Sequence, residues 1–318
     1  MKLSTTTLDF LEGGYWARTP AQAVELFRET GFRHLDFSFG YLADVPDSPF
    51  FAEGDGWKRE IDEAMETAAK LGMDFVVAHD NSMPDDFAAG GEVRERCLTQ
   101  LRNSIEACGR MGIRDMVIHG EFKWDDPEAS DEERFEHNRV YYEAFSDALD
   151  KYNVNGLVEN GGTAEFLLGS IRYAKNPRMH AVWDVGHANI EPEVLSQYDS
   201  IMALGEELRT VHIHDNFGKE LVGKLTKTEC DVHMLPYTGT ANYDEVICAL
   251  LDSGYQGYFN MEAVELLRRE SSYAWNPRHV WERERRALNP SEKVRVLAEQ
   301  LLYEIGKSML EAYDCFEE

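Results

Sequence analysis

Six short apolar runs end on a residue that can bind a cation or carry a proton: His79 in VVAHD, His119 in VIHGE, Glu159 in LVENG, Asp184 in VWDVGH, His212 in VHIHDN and Glu262 in NMEA. A carboxylate held behind a hydrophobic strand loses its hydration and needs a cationic partner, and one divalent ion can compensate several such groups at once. Taken singly, each has a plainer reading: a strand-end histidine is often hydrogen-bonded or solvated, and a strand-end glutamate can cap the next helix. Recurrence is what argues for a metal site, because His79, His119 and Glu159 follow one another at intervals of 40 residues. Mixed carboxylate and imidazole donors without thiolate suit manganese, zinc, cobalt, iron or magnesium, and do not choose among them.

Two further pairs stand close to this series. Asp184 and His187 form DVGH, and Asp231 and His233 form DVH ahead of MLPYTGTANYDEV. Each could equally be a surface turn. His212 and His214 share a parity, so a strand could turn both to the same face, and His214 competes with His212 for any single role.

The elements that must carry these residues alternate. Strand-like runs (KLSTTTL, HLDFSF, DFVVAH, DMVIHG, NGLVEN, HAVWDV, RTVHIH and GYFNMEA) are each reached after a helix-length segment. The spacing predicts a helix from about Pro20 to Thr30, and another from Glu92 to Met111 with Val93, Cys97, Leu101, Ile105 and Cys108 on one stripe. A third opens at a capping Asn242 and stops at Gly254, and SEKVRVLAEQLLYEIGKSMLEAY reads as an amphipathic C-terminal helix. Eight alternating units predict a parallel sheet closed into a (β/α)8 TIM barrel. The open doubly wound alternative lacks its Gly-x-Gly-x-x-Gly turn after the first strand. Extended loops follow strand seven, from about Gly218 to Gly239, and strand eight, from VELLRRESS to RALNP; both would rise on the rim that carries active sites, the second as a lid or an oligomer contact.

Residues 1–318 read as a single domain, since no Pro/Gly/Ser-rich seam divides them. With 32 basic against 59 acidic residues and a net charge of -27, the chain repels phosphate backbones and anionic membranes, so nucleic acid is not the expected partner. Neither a secretory leader nor a membrane span is readable, and the scattered Cys97, Cys108, Cys230, Cys248 and Cys315 fit a reducing cytoplasm.

VWDVGHANI, VHIHDN, DVH followed by LPYTGTANYDEV, GYQGYFNMEA and, more loosely, VENGG resemble signatures of the xylose isomerase-like barrel superfamily, specifically its sugar phosphate isomerase/epimerase and type IV apurinic endonuclease group. The resemblance runs through nearly the whole chain. It implies one divalent ion held by Glu159, Asp184, His212 and Glu262, with the H-x-x-D spacing from His212 to Asp215 favouring His212 over His214. In the endonuclease branch it implies up to three ions on nine ligands, for which the chain offers His79, His119, Glu159, Asp184, His187, His212, Asp231, His233 and Glu262.

The chemistry expected from that resemblance is isomerisation or epimerisation of a keto sugar or related polyol. The ion would act as a Lewis acid that stabilises an enediolate, and Glu159 and Glu262 would remove and return the proton. His187 and His233 are the expected substrate contacts; Trp16, Phe39, Trp124 and Trp183 are candidate apolar walls, with core packing the expected job for most of them. The loop bearing Lys219 and Lys224 leaves room for a phosphate, but no Walker-type loop or arginine clamp prepares one, so a non-phosphorylated substrate is preferred. A metal-dependent hydrolase or lyase, including apurinic endonuclease-like cleavage, is the alternative.

Overall fold

Eight short strands hydrogen-bond in parallel, each to its neighbours in sequence, and β1 (Lys2–Thr6) closes on β8 (Tyr258–Met261). Between them lie β2 (His34–Ser38), β3 (Asp74–His79), β4 (Asp115–Ile118), β5 (Asn155–Glu159), β6 (Met179–Asp184) and β7 (Leu208–Ile213). The result is a closed TIM barrel, as the alternation predicts. The computed structural model describes residues 1–11, 19–40, 50–51, 55–120, 122–126, 128–264 and 291–318. Trp16 and almost all of the loop after β8 lie outside the described residues.

Helices cover the outside of the ring for local reasons. The helix Pro20–Phe27 starts on a capping box in which Thr19 Oγ1 accepts the Gln22 amide and Gln22 Oε1 accepts the Thr19 amide, with proline at its first position. It stops short of the expected Thr30, whose hydroxyl donates back to the Phe27 carbonyl at 2.8 Å. The long helix Gly91–Met111 ends on Gly112 at φ 77°. Its stripe differs from expectation at one residue: Cys97, Leu101, Ile105 and Cys108 are buried, whereas Val93, in the first turn, is 48% exposed. Asn242 caps Tyr243–Asp252 through the Glu245 amide, and the C-terminal helix runs Glu292–Glu311. Among the described residues no helix is long and apolar enough to cross a membrane.

Period-two alternation sorts the strand side chains. Leu35, Phe37, Met116, Ile118, Trp183, Val211, Ile213 and Phe259 join the helices in the main core, while Val77, Val117, Leu157 and Val182 form a separate buried cluster inside the ring. Two residues further along those same four strands stand His79, His119, Glu159 and Asp184. They therefore share the inner face with the valine and leucine plug, one layer nearer the rim. Between β6 and β7 the register skips a residue, from Ala181 opposite Leu208 to Val182 opposite Thr210, and this bulge sets Asp184 directly beside His212.

Candidate metal centre

Glu159, Asp184, His212 and Glu262 come from β5, the end of β6, β7 and the residue after β8, and all four are buried. One atom of each lies within 4.8 Å of one atom of every other. His212 Nδ1 sits at the middle of the group, 2.6 Å from Glu159 Oε1, 2.7 Å from Glu262 Oε2 and 3.8 Å from Asp184 Oδ2. Despite this crowding, Glu159 Oε1, Glu262 Oε2 and both ring nitrogens of His212 make no hydrogen bond of acceptable geometry. Buried polar atoms left in that condition cost stability unless something else satisfies them. Four hard or borderline donor groups around one point, three of them with atoms unspent on protein partners, fit a divalent cation.

The electrostatics agree. Burial acts to lower the His212 pKa, yet the Glu262 and Glu159 carboxylates outweigh it and hold the imidazole well above its ordinary value. Burial acts to raise Glu159 and Glu262, and the facing His212 brings both well below the usual carboxylate range. A positive charge at this point is what the carboxylates demand.

Two smaller groups adjoin the quartet. His79 places Nδ1 3.1 Å from Glu262 Oε1 and Nε2 3.2 Å from His119 Nε2, and His119 Nδ1 lies 3.7 Å from Glu159 Oε2. On the other side, His187 Nε2 is 3.1 Å and His233 Nε2 3.4 Å from Asp231 Oδ2. His187 Nδ1 is 2.9 Å from the Asn160 carbonyl and His233 Nδ1 3.0 Å from the Glu262 carbonyl, which fixes both rings. Burial would raise the Asp231 pKa, but His187 and His233 hold it well below the usual range; against the same burial, Asp231 helps push His233 up to about 10. His214 belongs to this outer group rather than to the quartet: its ring stacks on His233 at 3.8 Å and its Nε2 faces Asp184.

Three positions that the sequence reading did not single out hold the others in place. Asn160 accepts the Asp184 amide through Oδ1 and donates from Nδ2 to the Asp184 carbonyl. Asn260 donates to Asp36 Oδ2 at 2.9 Å and accepts from Ser4, beneath His79 and His212. Asp36, fully buried, is pushed up in pKa by that burial. The signal was present: Asp36 and Asn260 interrupt the apolar runs HLDFSF and GYFNMEA at inward parity.

The loops close in from above. Asp215 accepts the amides of Gly239 and Ala241, pinning the far end of the β7 loop, and a Cβ on Gly239 would overlap the Asn216 carbonyl. Of the aromatic walls expected, Trp124 lies beside the site with its ring 4.9 Å from His187. Phe39 and Trp183 do not: both are fully buried in the helix-facing core, and the Trp183 indole donates to Gln197 at 2.7 Å. Their odd parity along the strands turns them outward. Lys219 is also spent within the protein, its ammonium donating to the Val194 carbonyl.

A parallel eight-stranded barrel with acidic and imidazole side chains gathered inside the rim where its strands end defines a TIM barrel with a candidate metal centre. Residues 24–290 match the family model described as xylose isomerase-like TIM barrel, and the chain belongs to that family. Fructoselysine 3-epimerase of Escherichia coli O157:H7 is 29% identical over 108 residues, 34% of each chain. Among solved structures, D-psicose 3-epimerase in the presence of D-fructose superposes with TM-score 0.69 at 14% identity, over 98% of this chain and 99% of that one. The D-psicose 3-epimerase of Clostridium cellulolyticum H10 with D-tagatose gives TM-score 0.68 at 16% identity, over 98% and 99%.

Proposed function

We propose that the protein is a divalent-metal-dependent sugar isomerase or epimerase acting on a keto sugar or related polyol. The observation that carries the reading is the convergence of Glu159, Asp184, His212 and Glu262 on one buried point, where Glu159 Oε1, Glu262 Oε2 and both His212 ring nitrogens have no hydrogen-bond partner. Family membership and the epimerase relatives support it.

In this reading the four residues hold the ion, which supplies Lewis acidity to a substrate carbonyl and its neighbouring hydroxyl. Glu159 and Glu262 carry the proton: one takes it from the carbon next to the carbonyl and the other returns one, which inverts that centre. Both are anionic at rest, as their lowered pKa values indicate, so either can begin as the base, and the other takes a proton from solvent before returning it to the opposite face. His187, held cationic by Asp184 and Asp231, and His233, held cationic by Asp231, serve as contacts to substrate oxygens by sharing with the substrate the Nε2–H that faces Asp231. Trp124 offers an apolar wall beside them. The test is solvent deuterium incorporation into a panel of ketoses, inososes and keto-glycosides, coupled to metal analysis. Exchange at a single carbon identifies reaction and substrate together; metal without exchange on any of them defeats the reading.

A second reading has its own observation. The nine residues that the endonuclease branch would use fall into three contiguous groups around the mouth, each able to hold an ion. Hydrolysis of a phosphodiester is the corresponding activity, and cleavage of abasic-site DNA by the purified protein would select it. A net charge of -27 opposes that substrate.

A further inference from the structure

The outer group of His187, Asp231 and His233 owes its shape to a residue on a different loop. Asp125, in the segment after β4, reaches the start of the short helix Lys227–Cys230 in the β7 loop. Its Oδ1 accepts the amides of Lys227 at 2.7 Å and Thr228 at 3.3 Å, and its Oδ2 accepts the Thr228 hydroxyl at 2.6 Å. From its other side the same helix is tied by the Lys227 ammonium to Glu191 at 2.6 Å, and Glu191 directly follows the helix that bears His187. Asp231 is the next residue after this helix, its amide donating to the Lys227 carbonyl at 2.9 Å. The side chain that bridges His187 and His233 is thus hung from a helix turn that Thr226 caps and Asp125 ties to the β4 loop.

The presentation of Asp125 is itself constrained. Lys123 has φ 52°, a left-handed conformation that costs a residue with a Cβ, and the turn is held by the Lys123 amide on Asp85 and its ammonium on Glu133 at 2.6 Å. The turn sends Trp124 against His187 and Asp125 onto the β7 loop together.

We infer that Asp125 is a positioning residue for the reaction: by joining the β4 and β7 loops across the mouth it sets Asp231, and through it the substrate-facing His187 and His233. The inference rests on the sugar isomerase or epimerase reading for the meaning of those contacts, but not for the tie. Asp125 is exposed and outside the quartet, so its loss leaves Glu159, Asp184, His212 and Glu262 in place.

The experiment uses the full chain with ¹⁵N-histidine, each ring assigned by a single histidine-to-glutamine substitution, and compares Asp125→Ala and Thr228→Val with the parent. Both variants should move the ring resonances of His187 and His233 while leaving those of His34 and His180 at the opposite end of the barrel unchanged. KM for the substrate should rise about tenfold in Asp125→Ala with kcat changing much less, the mark of lost uniform binding. The double variant should be no worse than Asp125→Ala alone, because one link is broken in each. Unmoved His187 and His233 rings, or equal shifts in every histidine, would overturn the inference. Rings that move as expected in a protein that turns over no sugar leave the tie standing and defeat the functional reading instead.

Discussion

His214 sets its Nε2 3.0 Å from each carboxylate oxygen of Asp184, thirty residues earlier in the chain. The ring fits there because residue 186 has no side chain: a Cβ on Gly186 would overlap the His214 imidazole. His214 therefore orients the carboxylate from behind while leaving the quartet to His212.

Gly186→Ala should cost about 1–3 kcal/mol, since the buried His214 ring has to be pushed from its place. Chemical denaturation measures this directly. An unchanged midpoint would mean that the ring can yield freely and does not fix Asp184.

Replacing either proposed proton carrier tests the mechanism without removing much volume. Glu159→Gln and Glu262→Gln should each slow solvent deuterium exchange by about 10²–10⁴-fold, the usual range for a positioned acid or base. Full activity at either position would exclude that glutamate from the role.

Metal binding should depend on pH. The flanking carboxylates hold His212 well above its ordinary pKa, so in the ion-free protein it carries a proton at neutral pH that an incoming cation must displace. Affinity should therefore rise with pH, with proton release visible by calorimetry in buffers of different ionisation enthalpy. Binding without proton release would place the ion elsewhere. His212→Ala should abolish stoichiometric binding. In the parent protein, ion at a hundred times its Kd should add about 2.7 kcal/mol of stability that chelation removes.

A separate pH effect is expected outside the quartet. Glu299, on the C-terminal helix, is 2% exposed, and burial together with the neighbouring Asp9 carboxyl pushes its pKa well above 4.5. A carboxyl raised in the folded state contributes stability below its unfolded pKa and loses it as pH rises through the folded value. The Tm of Glu299→Gln should accordingly gain on that of the parent as the pH climbs from 4.5. A difference that stays constant with pH would show that Glu299 does not titrate in this way.

Much of the fold was legible because its signals are local. The eight short β-branched or apolar runs became the eight strands, and inward parity could be counted along each from its own residues. Asn242 opens its helix as its capping chemistry predicts, that helix ends at Asp252 just before the expected Gly254, and the long helix ends at Met111 as read. Parity also explains the aromatic walls that did not materialise: Phe39 and Trp183 are as large and apolar as a sugar platform requires, but each stands on the outward face. Val93 shows the limit of periodicity, since the stripe predicts the buried face of a helix but not how far along it the neighbouring elements reach.

By itself the sequence determined the repeating unit and the kind of side chain that ends each strand, because a strand's alternation and a helix's caps depend on residues a few positions away. Only the tertiary structure decided which of those ends meet. Ring closure and the β6–β7 bulge put His212 between Glu159 and Glu262 and turned His214 to Asp184. The paths of two loops joined Asp125 to Thr228 across 103 residues. Contacts at that separation depend on the shear of the closed sheet and the balance of packing among all its layers, and no local pattern in the chain encodes either.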